Sequence, residues 1–453
     1  MKKKLLIYML LLTFFPILAQ NSQGWENLFN NYDLDGWIQK GGKAKYTVVD
    51  GVIIGETVPD SPNSFLCTVK EYSDFILELE LFVDTSMNSG IQIRSLSIPE
   101  YRKGVVHGYQ VEIDPSKRGW SGGIYDEQAR GWLYTMESNT EAKPAFKNGQ
   151  WNKYRIEAIG NSIKTWVNDI PAADIIDDAV GSGFIALQVH SIKASEKPWT
   201  LGTQVKWKNI RILTKNLAKN RKKETKEIVQ FNFIPNTISD YEKKNGWKLL
   251  FDGKSTKGWR GVYKEAFPEK GWEVKDGELV VLPSGGAESA NGGDIVSIDE
   301  FSDFELVADF KITEGANSGI KYYVTEKENN QGSAIGPEYQ ILDDKNHPDA
   351  KLGRDGNRTM SSLYDLITAK NKRVNPIGEW NSARIVSKNN HVEHWLNGMK
   401  VLEYERGSKE FRELVAASKY KVWPGFGEAA KGRILLQDHG NKVSFRSLKI
   451  REL

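Results

Sequence analysis

The sequence predicts an all-β protein built from two copies of one antiparallel sandwich. The first observation is an internal repeat: motifs such as GWENLF at Gly24 and GWKLLF at Gly246 return in the same order. The second is the alternation of apolar and polar residues in segments such as 74–83, which is typical of strands with one buried face. The third is the presence of Gly-containing turns, such as Asp50-Gly51, between these segments. A repeat of about 200 residues is too long for a solenoid and indicates two domains.

The chain divides into four predicted segments. Lysines at 2–4 followed by an apolar run are typical of a signal peptide, which we place over residues 1–19. The two copies of the repeat occupy residues 24–213 and 246–453, and a basic stretch over 214–245 joins them as a solvated linker. We expect the opening strand of each copy to lie beside its closing strand, which gives a compact jelly roll.

Composition narrows the class of protein and its location. A net charge of +3 over 453 residues gives no reason to expect a nucleic-acid partner. The single cysteine, Cys67, excludes an internal disulfide and is expected to be a buried apolar residue. The apolar run near the N-terminus is too short to span a membrane, and no second apolar stretch follows it. We therefore expect an exported bacterial protein, periplasmic or secreted, without a membrane span.

The recurring motifs also carry a resemblance to a known family. Besides the GW and DG motifs, both copies contain SDF.L, NSGI, a strand with YQ, a Tyr-Asp pair, G.WN, a W.N hairpin, LQ.H and a closing R.I strand. In this order they resemble the 3-keto-disaccharide hydrolase domain family, whose domains have a concanavalin A-like jelly-roll fold. The resemblance implies two tandem sandwiches of that fold and an enzyme that cleaves glycosides whose sugar carries a ketone at C3.

Such a substrate determines which groups a site must hold. A ketone at C3 acidifies the proton on C2, so a base removes that proton and the enolate expels the group on C1, with water adding afterwards. The site therefore needs a base near C2, a group that stabilises the enolate oxygen and an acid near the glycosidic oxygen. The opposed carboxylates of an ordinary glycosidase are not required.

Alternation along the strands selects the side chains that share one face. In the segment GYQVEID, the side chains of Gln110, Glu112 and Asp114 point the same way. We align Gln110 with Gln340 of the second copy, which matches Asp114 to Asp344. Both copies then carry carboxylates on this face but place one of them differently.

A Gln-x-His pair occurs in both copies, and histidine is the natural base near neutral pH. Catalytic roles are assigned to residues of these faces in both copies: His190 and His439 as bases, Arg94 or Lys321 as the enolate-stabilising group, and Glu112 and Glu338 as acid or orienting groups. The predicted contacts to the sugar are polar or aromatic residues on the same strands and the loops after them: Gln92, Gln110, Asp114, Tyr125, Asp126, Trp132, Gln188, Tyr323, Gln340, Asp344, Tyr364, Asp365 and Gln437.

Several alternatives stay open at this point. Trp132 either stacks on a sugar ring or packs within its Gly-rich loop. The loop Asp343–Asp349 has enough oxygen ligands for Ca²⁺, but its spacing does not match an EF-hand, so we favour a polar surface loop and expect no cofactor. A non-catalytic tandem carbohydrate-binding protein has the same fold, and a retaining glycosidase would need two carboxyls about 5–5.5 Å apart.

Overall fold

A computed structural model describes residues 24–84, 87–195, 203–223, 226–326 and 334–453 of the chain. The predicted signal peptide, residues 1–19, lies outside the described residues. Within these ranges, the helices are too short or too polar to cross a membrane. Antiparallel strands make up most of the regular secondary structure, which confirms the predicted all-β class.

The first domain is a sandwich of two sheets. Its outer sheet has the strand order β16-β13-β12-β11-β6-β15-β4-β3, with β1 beside β15, and its inner sheet has the order β10-β9-β8-β7-β14-β5-β2. The strands of this domain are β1 (Trp25–Asn27), β2 (Trp37–Gly41), β3 (Lys45–Val49), β4 (Val52–Glu56), β5 (Ser64–Thr68), β6 (Phe75–Val83), β7 (Ser89–Ser95), β8 (Gly108–Ile113), β9 (Ile124–Glu127), β10 (Gly131–Tyr134), β11 (Asn152–Ile159), β12 (Ser162–Val167), β13 (Ile170–Ile176), β14 (Phe184–Val189) and β15 (Gln204–Leu213). A 3₁₀ turn covers Thr140–Ala145.

The segment between the domains contains α1 (Leu217–Asn220), β16 (Phe231–Asn232) and α2 (Asp240–Lys244). Strand β16 extends the outer sheet of the first domain by pairing with β13 in parallel. The basic residues around α1 are mostly exposed, yet they form ion pairs with the first domain, including Lys222 with Asp169 and Arg221 with Glu157. The linker therefore lies along the first domain.

The second domain repeats the sandwich with sheet orders β19-β20-β29-β22-β25-β26-β27, with β17 beside β29, and β18-β21-β28-β23-β24. Its elements are β17 (Lys248–Leu249), β18 (Trp259–Gly261), β19 (Trp272–Lys275), β20 (Glu278–Val281), β21 (Ile295–Ser297), β22 (Phe304–Ile312), β23 (Asn317–Val324), β24 (Glu338–Leu342), β25 (Trp380–Lys388), β26 (His391–Leu396), β27 (Met399–Glu405), α3 (Lys409–Ala416), β28 (Arg433–Leu436) and β29 (Val443–Glu452). Two 3₁₀ turns cover Pro348–Lys351 and Lys419–Val422.

The opening strand of each domain pairs with its closing strand, as the repeat predicts. Trp25 lies opposite Leu213 in the first domain, and Lys248 lies opposite Ile450 in the second. One apolar core fills the space between the two sheets of each domain. Cys67 is fully buried, and burial raises the pKa of its thiol to about 12, which agrees with an inert packing residue.

Strand register corrects the alignment of the two copies. Gly90 lies opposite Glu112 in the first domain, and Gly319 lies opposite Gln340 in the second. Because Gly90 and Gly319 hold the same place in the two NSGI motifs, Glu112 corresponds to Gln340. The predicted alignment of Gln110 with Gln340 was therefore wrong by two residues.

The corrected register shows that the two copies have exchanged an amide for a carboxyl. Gln110 corresponds to Glu338. Gln110 follows a tyrosine in the sequence, whereas Glu338 precedes one. By the same count, Asp114 corresponds to Leu342 and not to Asp344. The shared YQ letters misled the sequence comparison, because the position of a residue in a sheet is fixed by its cross-strand partner.

Candidate active site

The inner sheet of the first domain turns a polar surface away from the core. Alternate residues of β7, β8 and β14 point into the core, and the residues between them point to the opposite side. We call this surface the first polar face, and its members are Gln92, Gln110, Glu112, Tyr125 and Gln188.

A chain of hydrogen bonds on the first polar face converges on Glu112. Ser95 Oγ donates to Gln92 Oε1 at 2.7 Å, and Gln92 Nε2 donates to Gln110 Oε1 at 2.8 Å. Gln110 Nε2 then donates to Glu112 Oε2 at 3.1 Å, and Asn88 Nδ2 donates to Glu112 Oε1 at 2.7 Å. Burial outweighs these donors and raises the pKa of Glu112 to about 7, so this carboxyl exchanges a proton near neutral pH.

The strand register places Gln188 and Glu112 on either side of Gly90, which has no side chain, and Gln188 is fully buried. Among the described residues, neither its amide nitrogen nor its amide oxygen has a hydrogen-bond partner. A buried amide without partners is costly, because it has given up its hydrogen bonds to water. Gln188 therefore offers both a donor and an acceptor to a bound polar ligand.

Residues next to strands on both flanks of the first polar face, namely Glu127, Asn63 and His190, lie close together. Glu127, at the end of β9, accepts a hydrogen bond of 3.3 Å from Asn63 Nδ2, although Asn63 precedes β5. His190 lies close enough to lower the pKa of Glu127, while burial raises that pKa overall. The sequence analysis missed Glu127, yet it stands two residues after Tyr125, and alternation places both on the same face.

His190 is oriented by its own chain segment. Its Nδ1 lies 2.8 Å from the carbonyl oxygen of Ser191, which can only accept a hydrogen bond. Nδ1 therefore carries the proton, and Nε2 keeps its lone pair. This is the tautomer that a general base requires.

The second domain has an equivalent surface with more charge. Its members, which we call the second polar face, are Asp294, Lys321, Glu338, Gln340 and Gln437. Lys321 Nζ lies 3.8 Å from Asp294 Oδ2, and the carboxyl of Glu338 is close enough to interact with the same ammonium group. Burial alone would lower the pKa of Lys321, but Asp294, Glu338 and Glu288 raise it, so the side chain stays charged.

The carboxyls of the second polar face are strongly affected by burial. Burial raises the pKa of Glu338 to about 7 and that of Asp294 to about 6, against the opposing effect of Lys321. Asp294 Oδ1 accepts from the backbone N–H of Asp438 at 2.9 Å, but no donor in the described part of the chain reaches Oδ2. A cation flanked by two proton-exchanging carboxyls is the main chemical feature of this face.

Gln437 corresponds to Gln188 and is held differently. Its Nε2 donates to Glu288 Oε1 at 3.2 Å, while its Oε1 has no partner among the described residues. His439 follows two residues later, and its ring centroid lies 5.9 Å from that of His347. Glu288 lies in a Gly-rich loop with no counterpart motif in the first copy, so repeat comparison did not select it.

Lys419 lies at the rim of the second polar face. Its Nζ lies 4.2 Å from the centroid of the Tyr364 ring, and Glu338 is near enough to raise the pKa of Lys419, although burial lowers it overall. The hydroxyl of Tyr364 donates to Asp349 Oδ2 at 2.7 Å. Tyr364 therefore borders the face, whereas Asp365 accepts from Arg358 Nε and the Lys419 backbone and holds the loop.

Arg94 does not join the first polar face. Its φ of +48° marks a break in the alternation of β7, and the pairing of β14 with β7 shifts register there. The guanidinium is turned away and donates to the carbonyls of Ser73 and Gly160 and to Asp74, at 2.6, 2.8 and 3.0 Å. Arg94 is 1% exposed, so the prediction that it stabilises an enolate beside Gln92 was wrong.

Tyr323 is turned away by the same irregularity in the second domain. Its φ is +52°, and its hydroxyl lies 2.8 Å from Ser387 Oγ. Glycines on the adjacent segments make room for both breaks: a Cβ at Gly183 would lie 2.3 Å from the Ser95 oxygen, and one at Gly432 would lie 2.3 Å from the Tyr323 carbonyl carbon. Tyr323 therefore packs in the core, and the prediction that it contacts substrate was wrong.

Two predicted acids of the first domain serve the structure. Asp114 accepts from the backbone of Ser116 and from Arg118 Nε at 2.8 Å, which holds the loop after β8. Asp126 lies opposite Tyr109 in the register, on the core side, and pairs with Arg130. Asp126 therefore points away from the polar face, and its assignment as a substrate contact was wrong.

In the loop predicted as a possible Ca²⁺ site, the carboxylate oxygens accept hydrogen bonds from protein donors. Asp343 accepts from Gly315 N and Asn346 Nδ2, at 2.8 and 2.7 Å, and Asp349 accepts from Arg358 and Tyr364. Asp344 accepts from the Met360 backbone and from Lys372 Nζ, so it does not reach the second polar face. In the described ranges, the acids and histidines close enough to share a metal ion are His391, Glu393 and Glu403, on β26 and β27.

Trp132 packs within its loop region. Its ring meets Trp120 and Tyr125 edge-on, with centroids 4.8 and 5.1 Å away, and the residue is 9% exposed. Of the two alternatives left open by the sequence, the structure favours packing. The more exposed neighbour, Tyr125, is the aromatic residue of the first polar face.

Each of the two jelly-roll domains thus holds a buried proton-exchanging carboxyl beside an amide with an unpartnered atom, and such groups can bind a sugar. A model of the 3-keto-alpha-glucoside-1,2-lyase-like domain matches the chain twice, over residues 24–213 and 246–451. The chain therefore belongs to this family, whose description denotes enzymes that act on glycosides.

The chain is also similar to individual proteins. A Bacteroides thetaiotaomicron protein named 3-keto-disaccharide hydrolase is 40% identical over 230 residues, covering 46% of this chain and 79% of that protein. Two crystal structures of Parabacteroides distasonis proteins, described as candidate glycosyl hydrolases, are 33% and 28% identical with TM-scores of 0.43 and 0.35. They cover 48% and 46% of this chain and 99% and 100% of their own.

Proposed function

We propose that this protein cleaves the glycosidic bond of 3-keto-glycosides by removing the C2 proton and eliminating the group on C1. The similar protein named 3-keto-disaccharide hydrolase supports this substrate class. The observation that carries the proposal is the second polar face, where a buried lysine stands between carboxyls whose pKa values burial raises to about 6 and about 7. Such carboxyls exchange protons near neutral pH, and the lysine supplies a fixed positive charge.

The proposed reaction balances without an oxidant or reductant. A base takes the proton from C2, and the electron pair moves into the C2–C3 bond, which leaves negative charge on the C3 oxygen. The enolate then re-forms the ketone as the C1–O bond breaks, and the leaving oxygen takes a proton from an acid. Addition of water across the resulting C1–C2 double bond completes a net hydrolysis.

In the second domain, Lys321 is the proposed partner of the enolate oxygen, because its charge is fixed by Asp294 and Glu338. Glu338 is the proposed proton-exchanging group, and His439 remains the proposed base at the end of the strand. Gln437 is proposed to orient a sugar hydroxyl through its unpartnered oxygen.

In the first domain, His190 is the proposed base, because its Nε2 lone pair is free. Glu112 is the proposed acid, because its pKa of about 7 leaves it partly protonated at neutral pH. Gln110 and Gln188 are proposed to bind sugar hydroxyls, and Gln188 would gain the hydrogen bonds that it lacks. Both domains are thus proposed to bind keto sugars.

We also propose that the protein is exported, on the strength of the signal-peptide pattern in residues 1–19. Cell fractionation followed by N-terminal sequencing of the mature protein tests this. A mature chain that begins shortly after Ala19 in the periplasm or medium supports export. An uncut chain in the cytoplasm contradicts it.

The decisive experiment measures release of a chromogenic leaving group from a 3-keto-glucoside, with the parent glucoside alongside. We expect release from the keto sugar only. The variants His190→Ala, His439→Ala and the double variant then show which domain turns over. Absence of release from both substrates, with saturable glycan binding intact, would leave a tandem carbohydrate-binding protein.

A further inference from the structure

The loop before β25 in the second domain holds Arg373 in a fixed position. Its carbonyl oxygen accepts a hydrogen bond of 2.8 Å from Asn397 Nδ2. Its neighbours are held as well, since Lys372 Nζ donates to Asp344 Oδ2 at 2.7 Å and the backbone N–H of Asn375 donates to Asn381 Oδ1 at 2.8 Å. The direction in which the Arg373 side chain leaves this loop is therefore set by the second domain.

That side chain extends onto the first domain. The guanidinium carbon of Arg373 lies 5.4 Å from the centroid of the Tyr125 ring, and its Cδ lies 3.8 Å from where a Cβ at Gly131 would stand. Its charge also lowers the pKa of Tyr125 and of Glu127, although burial raises both overall. Arg373 therefore lies beside Tyr125 and Glu127 of the first site.

The contact between the domains is a packed junction at this point. The hairpin turn between β26 and β27 presses Gly398 against β10, where a Cβ at Gly398 would lie 3.0 Å from the Trp132 carbonyl oxygen. Met399 of the same turn packs against the apolar core of the first domain. A close-packed turn adjacent to Arg373 keeps its guanidinium at the first site.

The first polar face has no cation at the strand position that Lys321 occupies in the second polar face. Gln92 occupies the position of Lys321, and Arg94 is turned to the core side. Arg118, on the loop after β8, pairs with Asp114, whose Oδ2 lies 2.8 Å from Nε, and its Nη2 lies 3.5 Å from Glu112 Oε1 at the edge of the face. By contrast, none of the ion pairs found among the described residues includes Arg373.

We propose that Arg373 of the second domain supplies the substrate-contacting cation of the first site. It would stabilise an oxygen of the bound sugar that gains negative charge during elimination, as Lys321 does in the second site. The two domains would then form one catalytic unit, in which the first site is incomplete without the second domain. This inference rests on the proposed function of both faces.

The test compares one substitution in two backgrounds. Glu338→Gln silences the second site, so that turnover of the chromogenic 3-keto-glucoside reports the first site, and Glu112→Gln does the reverse. In the Glu338→Gln background, Arg373→Ala is expected to lower kcat about 100-fold with little change in KM, because a fixed donor at a developing negative charge acts on the transition state. Arg373→Lys should restore part of this loss.

In the Glu112→Gln background, Arg373→Ala is expected to change kcat by less than about twofold. Arg354→Ala, which removes an exposed arginine of the same domain, serves as the control in both backgrounds. An equal loss in both backgrounds would show that Arg373 only holds the domains together. An unchanged kcat in the Glu338→Gln background would likewise overturn the proposal.

A binding measurement separates this proposal from the proposed function. A C-linked glucoside that carries a nitronate at C3 in place of the ketone mimics the charge of the enolate and cannot lose its aglycone, so calorimetry with it measures binding of that charge without turnover. If neither the wild-type protein nor any variant cleaves a 3-keto sugar, the proposed function fails. In that case, weaker binding of this anion at one of its two sites in Arg373→Ala supports the role of Arg373 in the first site, and unchanged or undetectable binding overturns it.

Discussion

Glu112→Gln is expected to change how the stability of the first domain depends on pH. Glu112 is 3% exposed, and its carboxyl is surrounded by amide donors, with Arg118 3.5 Å away. Burial raises its pKa from 4.5 to about 7. A group whose pKa is raised on folding contributes stability that is fully present below the unfolded pKa and is lost as the pH rises through the folded pKa.

The size of the expected change in the free energy of unfolding follows from the difference between the unfolded and folded pKa values of Glu112. A difference of about 2.5 pKa units corresponds to about 3 kcal/mol, since each unit is worth about 1.4 kcal/mol. The wild-type first domain should therefore lose up to about 3 kcal/mol from this group between roughly pH 4.5 and pH 8, apart from other titrating groups. The neutral amide of the Gln variant does not titrate, so the variant should be the more stable protein at pH 8 and nearly equal to wild type at pH 4.5.

Urea unfolding at a series of pH values, followed by tryptophan fluorescence, measures this difference. The transition of the first domain must be separated from that of the second, because the two domains need not unfold together. Glu100→Gln, at an exposed acid, is the control and should follow wild type at each pH. If wild type and Glu112→Gln show the same change in stability with pH, burial does not raise the pKa of this carboxyl and its proposed acid role loses its basis.

Three further predictions address the second site, the strand break and a buried histidine. Lys321→Met should lower kcat about 100-fold in the Glu112→Gln background with little change in KM, and an unchanged kcat would exclude enolate stabilisation by Lys321. Gly183→Ala should destabilise the first domain by about 1–3 kcal/mol in urea, because its Cβ would lie 2.3 Å from a backbone oxygen, whereas Gly181→Ala meets no atom within 4 Å and should have a small effect. Burial lowers the pKa of His394 to about 4, so the second domain should lose stability as the pH falls from 6.5 towards 4, and a His394→Gln variant that keeps this loss would refute the assignment.

Alternation along strands placed much of the candidate site correctly on one face. Gln92, Gln110, Glu112 and Gln188 lie together in the first domain because successive side chains of a strand point to opposite sides. Applied to the residue two positions after Tyr125, strand alternation would also have placed Glu127 on this face. Asp294 and Lys419 were beyond its reach, because they come from a separate strand and a 3₁₀ turn that only the packed fold brings to Glu338.

The two-domain, all-β architecture could be predicted from the sequence, since repeated motifs and a period of two express which residues must be buried. The sequence did not determine where that period breaks, so Arg94 and Tyr323 were assigned to the wrong side. Nor did it determine register between the copies, which depends on partners across the sheet. The approach of Arg373 to Tyr125 was decided by tertiary structure alone, because it depends on how two separately folded sandwiches pack against each other.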